Sequence, residues 1–116
     1  MPAQNEITLG ANGSVTLFEI KGDVTVASDP AFKEAYREVK SRGADRILFQ
    51  FTEDAYINSG GIAVLIQLLA EARKNGQETA ITGLSEHFKK IFSMVGITKF
   101  SRIYDSVDEA VNGLSQ

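Results

Sequence analysis

The run Ile47-Leu48-Phe49-Gln50-Phe51 limits the possible folds more than any other segment of the chain. β-branched and aromatic side chains favour a strand, and with Gln50 as its one polar residue this strand has no solvent face. A strand covered on both sides lies inside a sheet and needs helices above or below it. The flanking sequence supplies them. Phe32, Ala35, Tyr36 and Val39 fall at helical spacing before the strand, and Ile62, Leu65, Ile66, Leu68, Leu69 and Ala72 do so after it. Strand and helix patterns continue to alternate, which predicts a largely parallel sheet.

The remaining elements follow from local signals. Ile7 to Leu9 and Val15 to Ile20 read as strands around Asn12-Gly13, a strong hairpin signal, so the chain begins with an antiparallel pair. Asp29 can cap the first helix, with Pro30 at its first position and Gly43 beyond its end. A loop from Thr52 to Asn58 leads to a second helix, about Ser59 to Asn75, which Gly76 stops. Thr79 to Thr82 is a strand. Ser85 caps a third helix in which Leu84, Phe88, Ile91, Phe92 and Val95 point inward, and Gly96 ends it. Arg102 to Tyr104 is a last strand, and Ser106-Val107-Asp108-Glu109 is a capping box for a final short helix. The expectation is one α/β domain over residues 1–116, with an antiparallel N-terminal hairpin on a mixed sheet and about four helices mostly on one side.

Composition narrows the chemistry. The 116 residues include no Cys and one His, which excludes a disulfide framework, a thiolate nucleophile and a multi-histidine metal site. Twelve Lys and Arg against 15 Asp and Glu give a net charge of −3, which argues against a general nucleic-acid binder. Met1 to Glu6 has no basic region, and the longest apolar stretch, Ile62 to Ile66, is far short of the ~20 residues a membrane helix needs. The expectation is a soluble, cytoplasmic, bacterial-type protein without membrane insertion, metal or cofactor. Phosphate-loop and nucleophile-elbow patterns are absent, and no nucleophile, base and orienting group can be assembled into an enzyme site.

One segment draws attention, Tyr56-Ile57-Asn58-Ser59-Gly60-Gly61-Ile62, which joins the central strand to the most apolar helix. In open α/β folds, sites sit at that edge of the sheet. Asn58 can cap the helix. Gly60 and Gly61 are poor helix formers, so something other than propensity selects them. Small residues there leave backbone N–H groups and the Ser59 hydroxyl open, and a helix N-terminus tolerates negative charge, a phosphoserine included. The same pattern also fits a tight turn with a cap and nothing more. On the helical wheel Gly60, Ala63, Val64, Gln67, Glu71 and Lys74 share a face. Its proximal half is small and uncharged, either a docking patch for another protein or a surface covered by a neighbouring loop. Glu53 and Asp54 make the rim acidic. His87 is expected on the surface of the third helix.

Taken in order, three segments resemble the STAS domain family, shared by bacterial anti-sigma factor antagonists and the tails of sulphate transporters. Gly22-Asp23-Val24-Thr25 is similar to the family's Gly-Glu-(Ile/Leu)-Asp turn. Tyr56 to Ile62 is similar to its aromatic-Met-Asp-Ser-(Ser/Thr)-Gly-Leu motif, and Phe92-Ser93-Met94-Val95-Gly96-Ile97 to its Phe-x-x-x-Gly-Leu helix end. The resemblance implies a non-enzymatic regulator. Its partner would be a serine kinase of the histidine-kinase-like ATPase fold that is also the anti-sigma factor, with a serine phosphatase resetting the switch. Ser59 matches the phosphoacceptor. Asn58, Ser59, Gly60, Gly61, Ala63, Val64 and Gln67 would form the partner-binding surface, the two glycines letting the partner's ATP approach. Asn58 stands where the family has Asp, Gly60 where it has Ser or Thr, and Thr25 where it has Asp. A STAS subunit of a lipid or anion transporter complex, or a small-ligand sensor, are the other roles the family implies.

Overall fold

The computed structural model describes residues 6–115, so Met1 to Asn5, read above for signal features, lie outside the described residues. Strands β1 (Glu6–Asn12), β2 (Val15–Lys21), β3 (Arg46–Gln50), β4 (Glu78–Thr82) and β5 (Arg102–Tyr104) form one sheet in the order of the chain. β1 and β2 are antiparallel, and every later pairing is parallel. Helices α1 (Asp29–Ser41), α2 (Ser59–Lys74), α3 (Glu86–Met94) and α4 (Val107–Ser115) alternate with the strands after β2.

β3 is central and buried on both faces, as its composition predicts. Ile47 and Phe49 enter the larger core with Phe32 and Val39 of α1, Leu65 and Leu69 of α2, and Phe88 and Phe92 of α3. Leu48 points the other way, into a smaller core with Ala80, Ala110 and Leu114 under α4. Three helices therefore share one face and the last covers the other. Phe18 anchors the larger core, its ring 4.9 Å from Phe49 and 5.8 Å from Phe32.

Three local expectations shift. The hairpin loop is Gly13-Ser14, one residue later than Asn12-Gly13, because Asn12 still pairs with Val15 and Gly13 takes the positive φ, +62°. Asp29 does not cap α1. A single 3-10 turn, Val26–Ser28, precedes the helix, and Thr25 caps that turn by accepting from the Ala27 N–H while the Ser28 hydroxyl accepts from the Thr25 N–H. The N-cap of α1 is Ser28, one residue before Asp29, and it makes no side-chain cap bond to the helix. Asp29 instead pairs with Lys33 at 3.0 Å. Val95 does not point inward: it is the C-cap residue of α3 and 46% exposed, beside Met94 at 83%.

A partly buried polar cluster joins α1 to the connection between α2 and β4. The Tyr36 hydroxyl donates to Gln77 Oε1 and accepts from Asn75 Nδ2, and Gln77 Nε2 donates to the Ala44 carbonyl. Burial raises the Tyr36 pKa above its ordinary value, an effect that Asn75 opposes by hydrogen-bonding the oxygen and Glu71 reinforces by its charge. No helix among the described residues is long and apolar enough to cross a membrane.

Candidate functional site

Ser59 is the first residue of α2 and is exposed at the end of the sheet where β3 leaves it. Two segments far apart in sequence build its surroundings. Val24, just after β2, makes an isolated parallel bridge with Ile57. The Val24 N–H donates to the Tyr56 carbonyl at 2.9 Å, and the Asn58 N–H donates to the Val24 carbonyl at 3.2 Å. The Tyr56 N–H also donates to Asp23 Oδ1 at 3.4 Å. The Gly22 to Thr25 turn and the Tyr56 to Ile62 segment, separate signals in the sequence, are thus one structural unit.

Asn58 caps α2 as its residue type predicts. Its backbone is extended, its side-chain oxygen accepts the Gly61 N–H at 2.9 Å, and its carbonyl accepts the Ile62 N–H at 2.9 Å. The Ser59 and Gly60 amides have no acceptor among the described residues, so the positive end of the helix remains open beside the serine hydroxyl.

The two glycines answer to the neighbouring chain. A Cβ on Gly61 would lie 2.2 Å from the Val24 carbonyl oxygen, and one on Gly60 would lie 3.2 Å from both the amide nitrogen and the Cβ of Val26. Gly61 is buried, so it is not open to an approaching nucleotide; its size is set by the Val24 strand end. Gly60 is half-buried under Val26. The covering loop, one of the two alternatives for this face, is therefore present over the first turn.

The expected docking face divides further along α2. Ala63 and Gln67 are exposed. Val64 is only 6% exposed and belongs to the core, which removes it from an accessible patch. The reason is α1: Phe32 and Tyr36 stand with Val64 and Leu68 along the groove between the two helices. In its place the structure offers two residues that the sequence reading passed over, Val26 at 70% and Tyr56 at 57% exposed. The Tyr56 ring lies edge-on to Phe88, centroids 6.1 Å apart. For Val26 the available signal was an apolar β-branched residue in a polar stretch, off the stripe of α1. Asp23, Glu53 and Asp54 are exposed along the same loops and make the rim acidic. His87 is exposed, its ring 5.1 Å from Phe88.

Ser59, Gly60, Ala63 and Gln67 thus lie along the start of α2 as an uncharged surface around one hydroxyl, with Val26 against Gly60. Such a surface suits contact with another protein. It also admits a phosphate at its centre, because the helix end stabilises the added charge.

The fold has counterparts among known proteins. The STAS domain family matches residues 6–110 of the chain. An anti-sigma-B factor antagonist of Listeria monocytogenes is 23% identical over 94 residues, 81% of this chain and 82% of its own. The crystal structure of an anti-sigma factor antagonist from Mycobacterium paratuberculosis superposes with a TM-score of 0.84 at 14% identity, covering 100% of this chain and 98% of that one. The Bacillus cell fate determinant SpoIIAA, in its phosphorylated form, gives a TM-score of 0.63 at 13% identity over 92% of this chain and 97% of its own. At these identities the superpositions establish the fold.

Proposed function

We propose that this chain, which belongs to the STAS domain family, is a non-enzymatic partner-switching regulator whose state is set by phosphorylation of Ser59. The observation that carries the proposal is the position of that hydroxyl: exposed at the first residue of α2, beside a helix end with open amides, within an uncharged surface. The unmodified surface binds an anti-sigma factor that is also a serine kinase of the histidine-kinase-like ATPase fold. A serine phosphatase reverses the modification.

In the transfer, Ser59 Oγ bonds to the γ-phosphorus of ATP, the bond to the β-phosphate oxygen breaks, ADP leaves, and the hydroxyl proton goes to a base. Asn58 is an amide, and its side-chain oxygen already accepts the Gly61 N–H. Asn58 is therefore not the base. The product carries about −1.5 to −2 charges. Within the chain the start of α2 accommodates them without refolding. At the interface the phosphate has to be desolvated, beside the acidic rim of Asp23, Glu53 and Asp54, against a partner shaped for a bare hydroxyl. Binding is lost through that repulsion and desolvation.

The proposal is supported by the anti-sigma factor antagonists among the relatives, and by the relative whose structure is of a phosphorylated form. It is tested by recovering the partner on tagged chain from the native host, identifying it by mass spectrometry, and incubating it with ATP and the purified chain. Recovery of an ATPase-fold kinase that adds one phosphate supports the proposal. Recovery of transporter subunits and no phosphate transfer would favour the transporter-subunit role instead.

A further inference from the structure

Away from Ser59, a cavity of about 550 Å³ opens where the last turn of α2, the start of β4, the β5 edge and the C-terminal half of α4 meet. Three cationic side chains line it: Arg73, Lys99 and Arg102. None has a carboxylate partner among the described residues. Glu78, the one acid in the wall, lies 3.8 Å from Arg46 across the β3–β4 pair, so its charge is partly taken up there. The Arg73 guanidinium is fixed from one side, with Nη1 donating to the Lys99 carbonyl at 2.9 Å.

Two further features of the wall work against stability. Ser101 is 5% exposed, and its hydroxyl has no hydrogen-bond partner among the described residues. An unpaired buried hydroxyl is destabilising, because it gives up its bonds to water and gains none. Gly113 sits inside α4, where glycine is a poorer helix former than alanine. Its missing Cβ is filled by Tyr104, whose hydroxyl would be 2.2 Å away from such a carbon, so the glycine gives the phenol its place in the wall. Unpaired cations and a space-making glycine meet at one cavity of ligand size.

We propose that this cavity binds a small organic phosphate. Two guanidiniums offer forked donors that match phosphate oxygens, and Lys99 adds a point charge. Tyr104 and Phe100 supply aromatic surface for the organic part. The proposal is independent of the switch at Ser59, since the two sites share only α2, with Ser59 in its first turn and Arg73 in its last.

The test is a titration of the 116-residue chain with phenyl phosphate, and in parallel with inorganic phosphate, followed by two-dimensional 1H–15N NMR. Phenyl phosphate should move the amide resonances of Lys99, Ser101, Arg102 and Gly113 saturably and leave those of Ser59 and Gly60 in place. Arg102→Gln and Lys99→Gln change exposed side chains and should keep the dispersed spectrum while weakening binding at least tenfold. Phenyl phosphate should bind more tightly than inorganic phosphate, and equal saturable binding of the two would overturn the role given to Tyr104 and Phe100. Shifts that stay linear to high concentration, shifts centred on the start of α2, or unchanged affinity in both variants would overturn the proposal.

Discussion

Gly61 and Val24 approach so closely that a Cβ on the glycine would stand 2.2 Å from the valine carbonyl oxygen. That carbonyl also accepts the Asn58 N–H, so it cannot move away without breaking the bridge that holds the Gly22 to Thr25 turn against α2. Gly61→Ala should therefore destabilise the chain by about 1–3 kcal/mol through overpacking, despite the better helix propensity of alanine. Gly60→Ala, whose Cβ would meet Val26 at 3.2 Å, should cost clearly less. Urea unfolding of both variants gives the comparison, and equal stabilities would contradict the account of Gly61.

Adjacent residues of α2 should respond in opposite ways. Ala63 is exposed, so Ala63→Glu should change stability by no more than about 0.5 kcal/mol. It should nevertheless sharply weaken partner binding by placing an unpaired charge in the interface. Val64 is in the core beside Leu68, and Val64→Glu should cost several kcal/mol, on the order of an unpaired buried charge, and unfold much of the population. Circular dichroism with denaturant, alongside a partner pull-down, separates the two effects.

Most of the fold was legible because its signals are local. The apolar run Ile47 to Phe51, the helical stripes, the Asn58 cap and the glycines at helix ends act within a few residues. The errors came from contacts distant in sequence. Nothing near Gly61 says that Val24 will lie against it, and the bridge between Val24 and Ile57 spans the whole of α1 and β3. Val64 was placed on the surface by its angle from Leu65 and Leu69. Its row along the helix, Gly61, Val64, Leu68 and Ala72, is buried throughout, and that spacing was available to be read. The N-cap of α1 is Ser28, one residue before Asp29, and the 3-10 turn that Thr25 caps ahead of it has no hydrophobic periodicity to reveal it.

Alkaline pH should weaken the fold through Tyr36. Its folded pKa is raised above the ordinary value of 10.0 because burial disfavours the phenolate. Between those two values the unfolded chain has lost the proton that the folded chain still holds. The stabilisation is complete below the unfolded pKa and is lost as pH rises through the folded one. Tyr36→Phe removes that dependence. It should also cost about 1–2 kcal/mol near neutrality by leaving Asn75 and Gln77 without the hydroxyl. Denaturant midpoints measured from pH 8 to 11 for both proteins provide the check; parallel curves would contradict the assignment to Tyr36.

The central claim is that phosphate on Ser59 acts on binding and leaves the fold in place. Ser59→Ala should keep the partner and accept no phosphate. Ser59→Asp should keep the stability of the parent and lose the partner. The most direct measurement is intact mass after incubation of the wild-type chain and Ser59→Ala with the recovered kinase and ATP. The account predicts one added phosphate on the wild type and none on the variant. A wild type that gains no phosphate, or an alanine variant that gains as much, would contradict it.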